Sequence, residues 1–283
     1  MSRLDPERLE VASASDVGRV RTSNQDACAE GRSPTGARLL VVADGMGGHA
    51  GGETASRLAV ETICASVAAS PDAPDAALRR AFADANRIVH ERAQREARLA
   101  GMGTTGVAAC FSQDGRVHVA NVGDSRAYLL RGGRLEQITS DHSLVAELQR
   151  RGLLSAEEAR VHPRRNEVLR SLGIESDVHV DLHELELHAG DVVMLCTDGL
   201  SGPVRDAEIA ELLRHERPDD AVRKLVELAN RLGGPDNVTV QVARLPAGAA
   251  PERTPPARGP SGGWAGLVAV VVLTVLALWR CAA

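Results

Sequence analysis

The first hundred residues contain two strand-like hydrophobic patterns and then two helix-like ones. Residues 9–15 and the apolar run at 38–43 predict strands, and the second strand is expected to be buried. Residues 54–70 carry apolar side chains at helical spacing, and Glu53 marks the expected start of this helix. A second, longer helical pattern covers residues 72–100.

Shorter elements follow along the rest of the chain. Residues 101–143 hold short apolar stretches separated by Gly and Asp turns, which predict an antiparallel meander. Residues 143–173 change to short helical pieces, the last of them at 166–173. The pattern then predicts two strands, two amphipathic helices and a final strand, at 177–187, 191–197, 206–215, 219–232 and 237–245.

The order of these elements indicates the fold class. Strands are grouped with strands and helices with helices, so the strict βαβ alternation of a parallel sheet is absent. We therefore expect an α+β fold, with antiparallel sheets and helices packed on their outer faces. The glycine-rich stretch at 45–52 lacks the strand–helix context of a dinucleotide fingerprint, and it lacks the Lys-Ser/Thr ending of a P-loop.

The last part of the chain has a different composition. Residues 246–263 are rich in Pro, Gly and Ala, which predicts an unfolded linker after a domain at 8–245. Residues 262–279 contain no charge, which meets the lower limit of about 17 residues for a membrane span. We predict a transmembrane helix at 264–279, with tryptophans at both ends as at membrane interfaces; a buried terminal helix is the alternative.

The charges beside this segment predict its orientation. Two arginines precede it and one follows it, namely Arg253, Arg258 and Arg280. The positive-inside preference then places the N-terminal domain in the cytoplasm, and the first residues show no apolar signal peptide. We expect a cell-membrane protein that crosses the bilayer once, near its C-terminus.

Net charge and cysteine content exclude several kinds of site. The formal net charge is −5 and the sequence pI is near 6.0, so no basic surface for nucleic acid is expected. The five cysteines are scattered and form no Cys-x-x-Cys pair, which argues against a zinc site or a disulfide framework. We interpret them as reduced thiols of a cytosolic domain.

Aspartates stand at the edges of several predicted strands. Asp44, Asp124 and Asp198 each follow an apolar run, and Asp236 directly precedes the last one. Each could be a simple turn residue or cap. If the strands share sheets, the carboxylates can instead converge at one rim, where cations must offset their repulsion. Oxygen ligands favour Mg²⁺ or Mn²⁺, and two such ions can activate water for attack on phosphorus.

Eight motifs carry a resemblance to a known family. On them the chain resembles the metal-dependent Ser/Thr protein phosphatases of the PPM (PP2C) family, in their compact bacterial form, over about residues 8–245. In family order the motifs are RTSNQD (21–26), VVADGMGGHAGGE (41–53), GTT (103–105), NVGDSRAY (121–128), TSDHS (139–143), HPRRNEVLRSLG (162–173), CTDGL (196–200) and GGPDNVTV (233–240).

The resemblance implies a four-layer αββα sandwich, two antiparallel sheets flanked by helices, with two Mn²⁺ or Mg²⁺ ions at one rim. It implies that Asp44 bridges both ions and that the carbonyl group of Gly45 serves the second ion. Asp198 and Asp236 would serve the first ion. Asp124, together with Asp198, would match a third and weaker metal site.

The resemblance also assigns roles around the ions. Arg21 would bind the substrate phosphate, and Asp26 would act in the outer shell and support Arg21. His49 would be the general acid for the leaving alkoxide, and residues 143–173 would form a flap near the cleft. Gln25 stands where the family more often has Glu; its lost charge could weaken metal affinity slightly, and activity is expected to survive.

The implied activity is hydrolysis of phosphoserine and phosphothreonine in proteins, by direct attack of a water that bridges the ions. Phosphorylated proteins are the expected partners, including Ser/Thr protein kinases and their substrates at the membrane. One alternative is a pseudophosphatase that binds phosphorylated partners without turnover, although this would predict lost metal-binding acids. Another is a phosphoesterase for small molecules or nucleotides, for which the sequence shows no nucleotide-binding feature.

Overall fold

Two antiparallel sheets form the centre of residues 5–247, the part of the chain that the computed structural model describes. The strands are β1 (Glu10–Asp16), β2 (Asp26–Arg32), β3 (Arg38–Met46), β4 (Gly103–Thr104), β5 (Gly106–Phe111), β6 (Arg116–Val122), β7 (Arg126–Arg131), β8 (Arg134–Gln137), β9 (Asp181–Glu186), β10 (Val192–Cys196) and β11 (Val238–Arg244). The helices are α1 (His49–Ala68), α2 (Pro74–Arg95), α3 (Leu144–Arg150), α4 (Ala156–Val161), α5 (Asp198–Ser201), α6 (Asp206–His215) and α7 (Pro218–Arg231).

The strand order defines the two sheets. One has the order β1-β11-β10-β7-β8, and the other has the order β2-β3-β5-β6-β9 with β4 paired to the end of β3. The central strands are continuously apolar because both of their faces are covered. In β3, Leu39 and Val41 pack toward the helices, whereas Leu40 and Val42 pack between the sheets, as the two-residue period of a strand requires.

Three hydrophobic cores separate four layers. The first core joins α1 and α2 to the β3 sheet and contains Phe82. The second lies between the two sheets and contains Phe111 and Leu195. The third joins α6 and α7 to the β10 sheet and contains Leu225. The expected α+β fold with two antiparallel sheets is therefore confirmed, in the layer order helices, sheet, sheet, helices.

The prediction of one continuous antiparallel meander at 101–143 is wrong, because its strands are divided between the two sheets. Strands β5 and β6 belong to one sheet, whereas β7 and β8 belong to the other. The chain changes sheets in the short turn at 123–125, which holds Asp124. Hydrophobic spacing cannot reveal this change, because neighbouring strands have the same pattern whichever sheet they join. The turn consequently places an acidic residue where the two sheets meet.

Two helix predictions also need correction. Helix α1 begins at His49 rather than at Glu53, so its first turn contains Gly51 and Gly52, and a Cβ atom on Gly52 would lie 2.7 Å from the Gly45 carbonyl oxygen of β3. No helix forms at 166–173, because Val168 bridges to Ser143 and Leu172 bridges to Thr104. The earlier helical pieces of the 143–173 segment are present as α3 and α4.

The predicted membrane helix at 264–279 lies outside the described residues, as does the linker beyond residue 247. Between residues 5 and 247, none of the helices combines the length and the apolar character that crossing a bilayer requires.

Candidate active site

A cavity of about 340 Å³ opens where the ends of β3, β6, β10 and β11 approach one another. All four predicted strand-edge aspartates line it: Asp44, Asp124, Asp198 and Asp236. Three further predicted residues, Arg21, Gln25 and Gly45, line it as well. The structure therefore brings together Arg21 and Asp236, which are 215 positions apart in the sequence.

Hydrogen bonds to the backbone of Asp44 hold it at the cavity. Its carbonyl oxygen accepts from the Thr105 backbone N–H at 2.8 Å and from Thr104 Oγ1 at 2.7 Å. The Asp44 N–H donates to Thr105 Oγ1 at 2.9 Å, and Thr105 Oγ1 lies 2.7 Å from Ser125 Oγ. Strand β3 continues past Asp44 to Met46, because β4 pairs with its end. The GTT motif thus fixes the orientation of Asp44.

Gly45 occupies a position without room for a side chain. A Cβ atom there would lie 2.0 Å from the carbonyl oxygen of Gly52 and 2.6 Å from that of Gln25. The Gln25 carbonyl oxygen also accepts from Gly45 N at 3.1 Å and from Ser56 Oγ at 2.6 Å. Strand β3 and the first turn of α1 therefore touch backbone to backbone, and the Gly45 peptide faces the cavity.

His49 begins α1 directly after a turn at the cavity rim. Gly47 and Gly48 line the cavity with φ values of 121° and 79°, a backbone conformation that strongly favours glycine. Gln25 Nε2 donates to the Gly48 carbonyl oxygen at 2.9 Å, a bond that a glutamate could not make. The side chain of His49 is outside the described part of the structure, so its proton-donor role stays a prediction.

The turn that carries Asp124 is held by a histidine of the DHS motif. The backbone N–H of Gly123 donates to the ring Nδ1 of His142 at 3.0 Å. The backbone N–H of His142 donates to the Gly123 carbonyl oxygen, also at 3.0 Å. His142 Nε2 lies 3.1 Å from Asp181 Oδ2. Burial lowers the pKa of His142, which agrees with a neutral ring that accepts at Nδ1. The TSDHS motif that contains His142 therefore fixes the turn before Asp124.

Asp26 and Asp198 are connected through one threonine. Asp26 lies directly opposite Asp44 in the β2–β3 register, and its Oδ2 accepts from Thr197 Oγ1 at 2.9 Å. Asp198 follows Thr197 and begins α5. The ion-pair partner of Arg21 is Asp236, at 2.8 Å, rather than Asp26. Among the described residues Asp26 makes no ion pair with Arg21, and its expected support of that residue stays a prediction.

Burial and mutual repulsion raise the pKa values of this aspartate cluster. Burial, with a smaller effect from Asp198, raises the pKa of Asp26 to about 7 and that of Asp124 to about 8. Burial also raises the pKa of Asp44, followed by repulsion from Asp26 and Asp198. Burial and then Asp236 raise the pKa of Asp198. In water alone, such a cluster favours protonated carboxyl groups.

Two oxygens of this cluster have no hydrogen-bond partner within the described part of the chain. Asp26 Oδ1 and Asp198 Oδ1 are both buried and unpaired. Buried carboxylate oxygens normally have a partner, and an ion is one explanation for those that have none. Repelling carboxylates with free oxygens at one cavity fit hard divalent cations such as Mg²⁺ and Mn²⁺.

The carboxylates do not form a closed cage. Over residues 5–247, no group of three or more His, Cys, Asp or Glu side chains stands close enough to hold an ion by itself. Mg²⁺ does not require such a cage, because it keeps several waters and binds through one or two carboxylates. The open arrangement at a water-accessible cavity is consistent with this kind of binding.

Sequence reasoning missed several residues of the site. Asn237 lines the cavity and hydrogen-bonds the segment that carries Arg21. Thr105 orients Asp44, and Asn166 and Val168 contribute to the cavity wall from the predicted flap. Asn237 and Thr105 lie in motifs already identified in the sequence, and those motifs were the signal that could have pointed to them. Their roles were missed because their hydrogen-bond partners are distant in sequence.

Comparisons with known proteins agree with this geometry. Residues 18–243 match the family described as Protein phosphatase 2C. The chain is 39% identical over 231 residues to the serine/threonine phosphatase stp of Listeria monocytogenes, covering 80% of this chain and 91% of that protein. It is 43% identical over 239 residues to the serine/threonine protein phosphatase PstP of Mycobacterium tuberculosis, covering 83% of this chain but only 45% of that protein.

Solved structures show the same fold. The serine/threonine phosphatase Stp1 from Staphylococcus aureus matches with a TM-score of 0.79 and 38% identity, over 83% of this chain and 94% of that one. The catalytic domain of PstP in complex with two manganese ions matches with a TM-score of 0.76 and 40% identity, over 84% of this chain and 98% of that one. The sequence match, the sandwich and the aspartate-lined cavity lead to one conclusion: this chain belongs to the protein phosphatase 2C family.

Proposed function

We propose that this protein removes phosphate from phosphoserine and phosphothreonine in proteins, with Mn²⁺ or Mg²⁺ as cofactor. The observation that carries the proposal is the convergence of four aspartates and one arginine at a single cavity. Carboxylates supply oxygen ligands for divalent cations, and a guanidinium group offers paired donors to a phosphoryl group. None of the metal-binding acids expected of an active enzyme is replaced.

The cavity residues would hold two ions. Asp44 and the Gly45 carbonyl group would bind the second ion, with Asp44 shared with the first. Asp198 and Asp236 would complete the first site, and Asp124 with Asp198 would form a third, weaker one. When bound, the ions lower the pKa of a water molecule and neutralise charge on the phosphoryl oxygens. The relative PstP was solved with two manganese ions, which supports binding of two such ions.

Protein groups would perform the remaining tasks. Arg21 is half exposed at the cavity mouth, and Asp236 accepts one of the five N–H donors of its guanidinium group. The others are oriented by the same ion pair and would bind the phosphoryl oxygens of the substrate. His49 would protonate the departing serine or threonine alkoxide, which is a poor leaving group without a proton.

The test is release of phosphate from a phosphothreonine peptide by the purified full chain with Mn²⁺. We expect turnover by the wild type and almost none by Asp44→Asn. If the wild type and Asp44→Asn both release phosphate only at the background rate, the proposal is refuted. Tight phosphopeptide binding without turnover would favour a pseudophosphatase, and much faster hydrolysis of free nucleotides would favour a small-molecule phosphoesterase.

We further propose that residues 264–279 anchor the protein to the cell membrane, with the catalytic domain on the cytoplasmic side. The support is the uncharged segment with tryptophans at both ends. The full chain should sediment with membranes, and a chain ending at residue 247 should not. A full chain that stays in the supernatant when the membranes are pelleted would contradict the anchor.

Anchoring would bring the enzyme close to membrane phosphoproteins, including Ser/Thr kinases and their targets. Phosphoproteomics of a deletion strain is expected to show increased phosphorylation at membrane sites. Unchanged membrane phosphosites would count against this choice of substrates.

A further inference from the structure

The segment that carries Arg21 has no regular secondary structure to hold it. Residues 17–25 connect β1 to β2 as turns and irregular backbone, and Arg21 is 50% exposed near the middle. An arginine side chain on such a segment loses entropy when it binds a ligand, unless its backbone is already fixed. What fixes this segment therefore affects how well Arg21 can bind phosphate.

One buried side chain holds the segment at both ends. Asn237 is 4% exposed, and its Nδ2 donates to the carbonyl oxygens of Val17 and Ser23, at 2.9 Å each. Its Oδ1 accepts from the Gln25 N–H at 2.8 Å. Both amide donors and the amide oxygen are thus used. One of these bonds precedes Arg21 in the chain and two follow it.

The backbone around Asn237 braces the same segment. The Arg19 N–H donates to the Gly234 carbonyl oxygen at 2.8 Å. A Cβ atom on Gly18 would lie 2.3 Å from the carbonyl oxygen of Asp236, so the two turns touch directly. The segment is therefore packed against the turn that contains Asn237, and the Asn237 side chain connects the two.

The link to Asp236 does not depend on the Asn237 side chain. The backbone N–H of Asn237 donates to Asp236 Oδ1 at 2.9 Å, while Asp236 Oδ2 accepts from Arg21 at 2.8 Å. Replacing the Asn237 side chain leaves this backbone bond in place. The effects of the side chain on Arg21 and on the carboxylates can therefore be separated by experiment.

We propose that Asn237 is a positioning residue for phosphate recognition, which holds the 17–25 segment so that Arg21 faces the cavity. The inference rests on the proposed function, because it takes Arg21 as the phosphate-binding group. Asn237 acts through Arg21, because its side-chain amide is already bonded to the 17–25 segment. Its loss should weaken binding of the phosphoryl group more than it slows the chemical step.

A double-mutant cycle with Arg21→Ala and Asn237→Ala tests the proposal. In full-length protein with saturating Mn²⁺, Asn237→Ala should raise the KM for a phosphothreonine peptide about tenfold, the effect of about 1.4 kcal/mol of lost binding. The inhibition constant for inorganic phosphate should rise equally, with kcat within about threefold of wild type. Once Arg21 is absent, the same substitution should change KM less than about twofold.

Asn86 provides a matched control. It is 2% exposed, its Nδ2 donates to the carbonyl oxygens of Glu175 and Ser176 at 3.0 Å each, and its Oδ1 accepts from Gly173 N at 2.7 Å. The bonding pattern equals that of Asn237, but these partners do not line the cavity. Asn86→Ala should lower the melting temperature to a similar degree and leave KM unchanged.

Other outcomes would overturn the inference. Equal KM effects of Asn237→Ala with and without Arg21 would show that Asn237 does not act through Arg21. If Asn237→Ala weakens Mn²⁺ binding in calorimetry as much as it raises KM, the effect of Asn237 belongs to the metal site instead. If Asn237→Ala does not fold, Asn237→Ser, which keeps one hydroxyl donor, should show a smaller KM increase; an unchanged KM would contradict the proposal.

Failure of the proposed function has a different signature. In that case the wild type does not turn over, or Arg21→Ala leaves KM unchanged. Calorimetric titration of inorganic phosphate into the Mn²⁺-loaded chain still decides the role of Asn237. Weaker phosphate binding by Asn237→Ala supports it, whereas undisturbed binding, or none to the wild type, refutes it.

Discussion

At the scale of single residues, Asp26 and Asp44 face each other across the antiparallel strands β2 and β3. Like charges directly opposite in a sheet destabilise it, and burial raises the pKa of both carboxyl groups. A threonine or asparagine at either position would relieve this repulsion. The pair therefore lowers the stability of the metal-free fold, and cation binding gives a reason for its presence.

The first prediction concerns Asp44→Asn. Without metal, this variant should be more stable than the wild type, by up to about 1 kcal/mol, because a buried repulsion is removed. With Mn²⁺ the wild type should gain stability that the variant does not, and phosphatase activity of the variant should fall by about 10³-fold or more. Thermal melting in EDTA and in Mn²⁺ measures both effects.

Asp177, which is exposed on the surface, provides the control for this prediction. Asp177→Asn should change neither the metal-free stability nor the Mn²⁺ effect. A metal-free Asp44→Asn protein that melts well below the wild type would show that the carboxylate contributes to folding in another way.

The second prediction concerns His49. If this residue protonates the leaving alkoxide, His49→Ala should slow hydrolysis of a phosphothreonine peptide by about 10²- to 10⁴-fold. An aryl phosphate with a good leaving group needs little proton transfer, so its hydrolysis should slow far less. Comparing kcat for both substrates measures the difference, and equal slowing of both would argue against proton donation.

At the scale of elements, β3 and α1 meet through glycines. Gly45 and Gly52 each lie where a Cβ atom would meet the backbone of the other at 2.7 Å or less. The sequence showed the glycines and placed them before a helix expected to start at Glu53. The structure instead places Gly52 inside the first turn of α1, where a small residue allows the helix to approach the strand closely.

The third prediction follows from this contact. Gly45→Ala should destabilise the protein by several kcal/mol or prevent folding, because a Cβ atom would lie 2.0 Å from the Gly52 carbonyl oxygen. Gly31→Ala, in the neighbouring strand β2, places its Cβ at an ordinary 3.4 Å from its nearest neighbours and should change stability by less than about 1 kcal/mol. Chemical denaturation of both variants measures the contrast. Similar stabilities would show that β3 and α1 can separate at little cost.

At the scale of the whole molecule, the acids of the cavity couple folding to pH. In the metal-free protein, burial and repulsion raise the pKa of Asp26 to about 7 and that of Asp124 to about 8. The unfolded chain releases these protons near pH 4, so the folded state binds more of them. Their contribution to stability is complete below about pH 4 and is lost as pH rises through 7 and 8.

The fourth prediction is that the metal-free protein melts several degrees lower at pH 8 than at pH 6.5. One unit of pKa shift corresponds to about 1.4 kcal/mol, and each kcal/mol moves the melting temperature of a domain of this size by about 2–4 °C. With Mn²⁺ bound, the melting temperature should instead rise from pH 6.5 to pH 8, because metal ligands must be deprotonated. Asp124→Asn should show a weaker pH dependence in EDTA, and a wild-type melting temperature that is independent of pH would contradict the coupling.

Local patterns predicted most elements and the four aspartates of the candidate site. The apolar run of β3, the amphipathic helices α6 and α7 and the strand-edge aspartates are properties of short segments, and short segments are visible in a sequence. The helix predicted at 166–173 failed because backbone bridges to Thr104 and Ser143 replace helical hydrogen bonds there. Partners from other parts of the chain overrode the local preference.

The sequence by itself determined the fold class, the family and the four aspartates proposed as metal ligands, because periodicity and motif order need no knowledge of distant contacts. Only the tertiary structure decided that the Asp124 turn passes between two sheets, that Asp26 lies opposite Asp44 and that Asn237 holds the Arg21 segment. Asn237 and Val17 are 220 positions apart in the chain. The antiparallel pairing of β1 with β11 in one sheet, where Asp16 lies opposite Val238, brings them within hydrogen-bond distance, and no local pattern encodes which strands will pair.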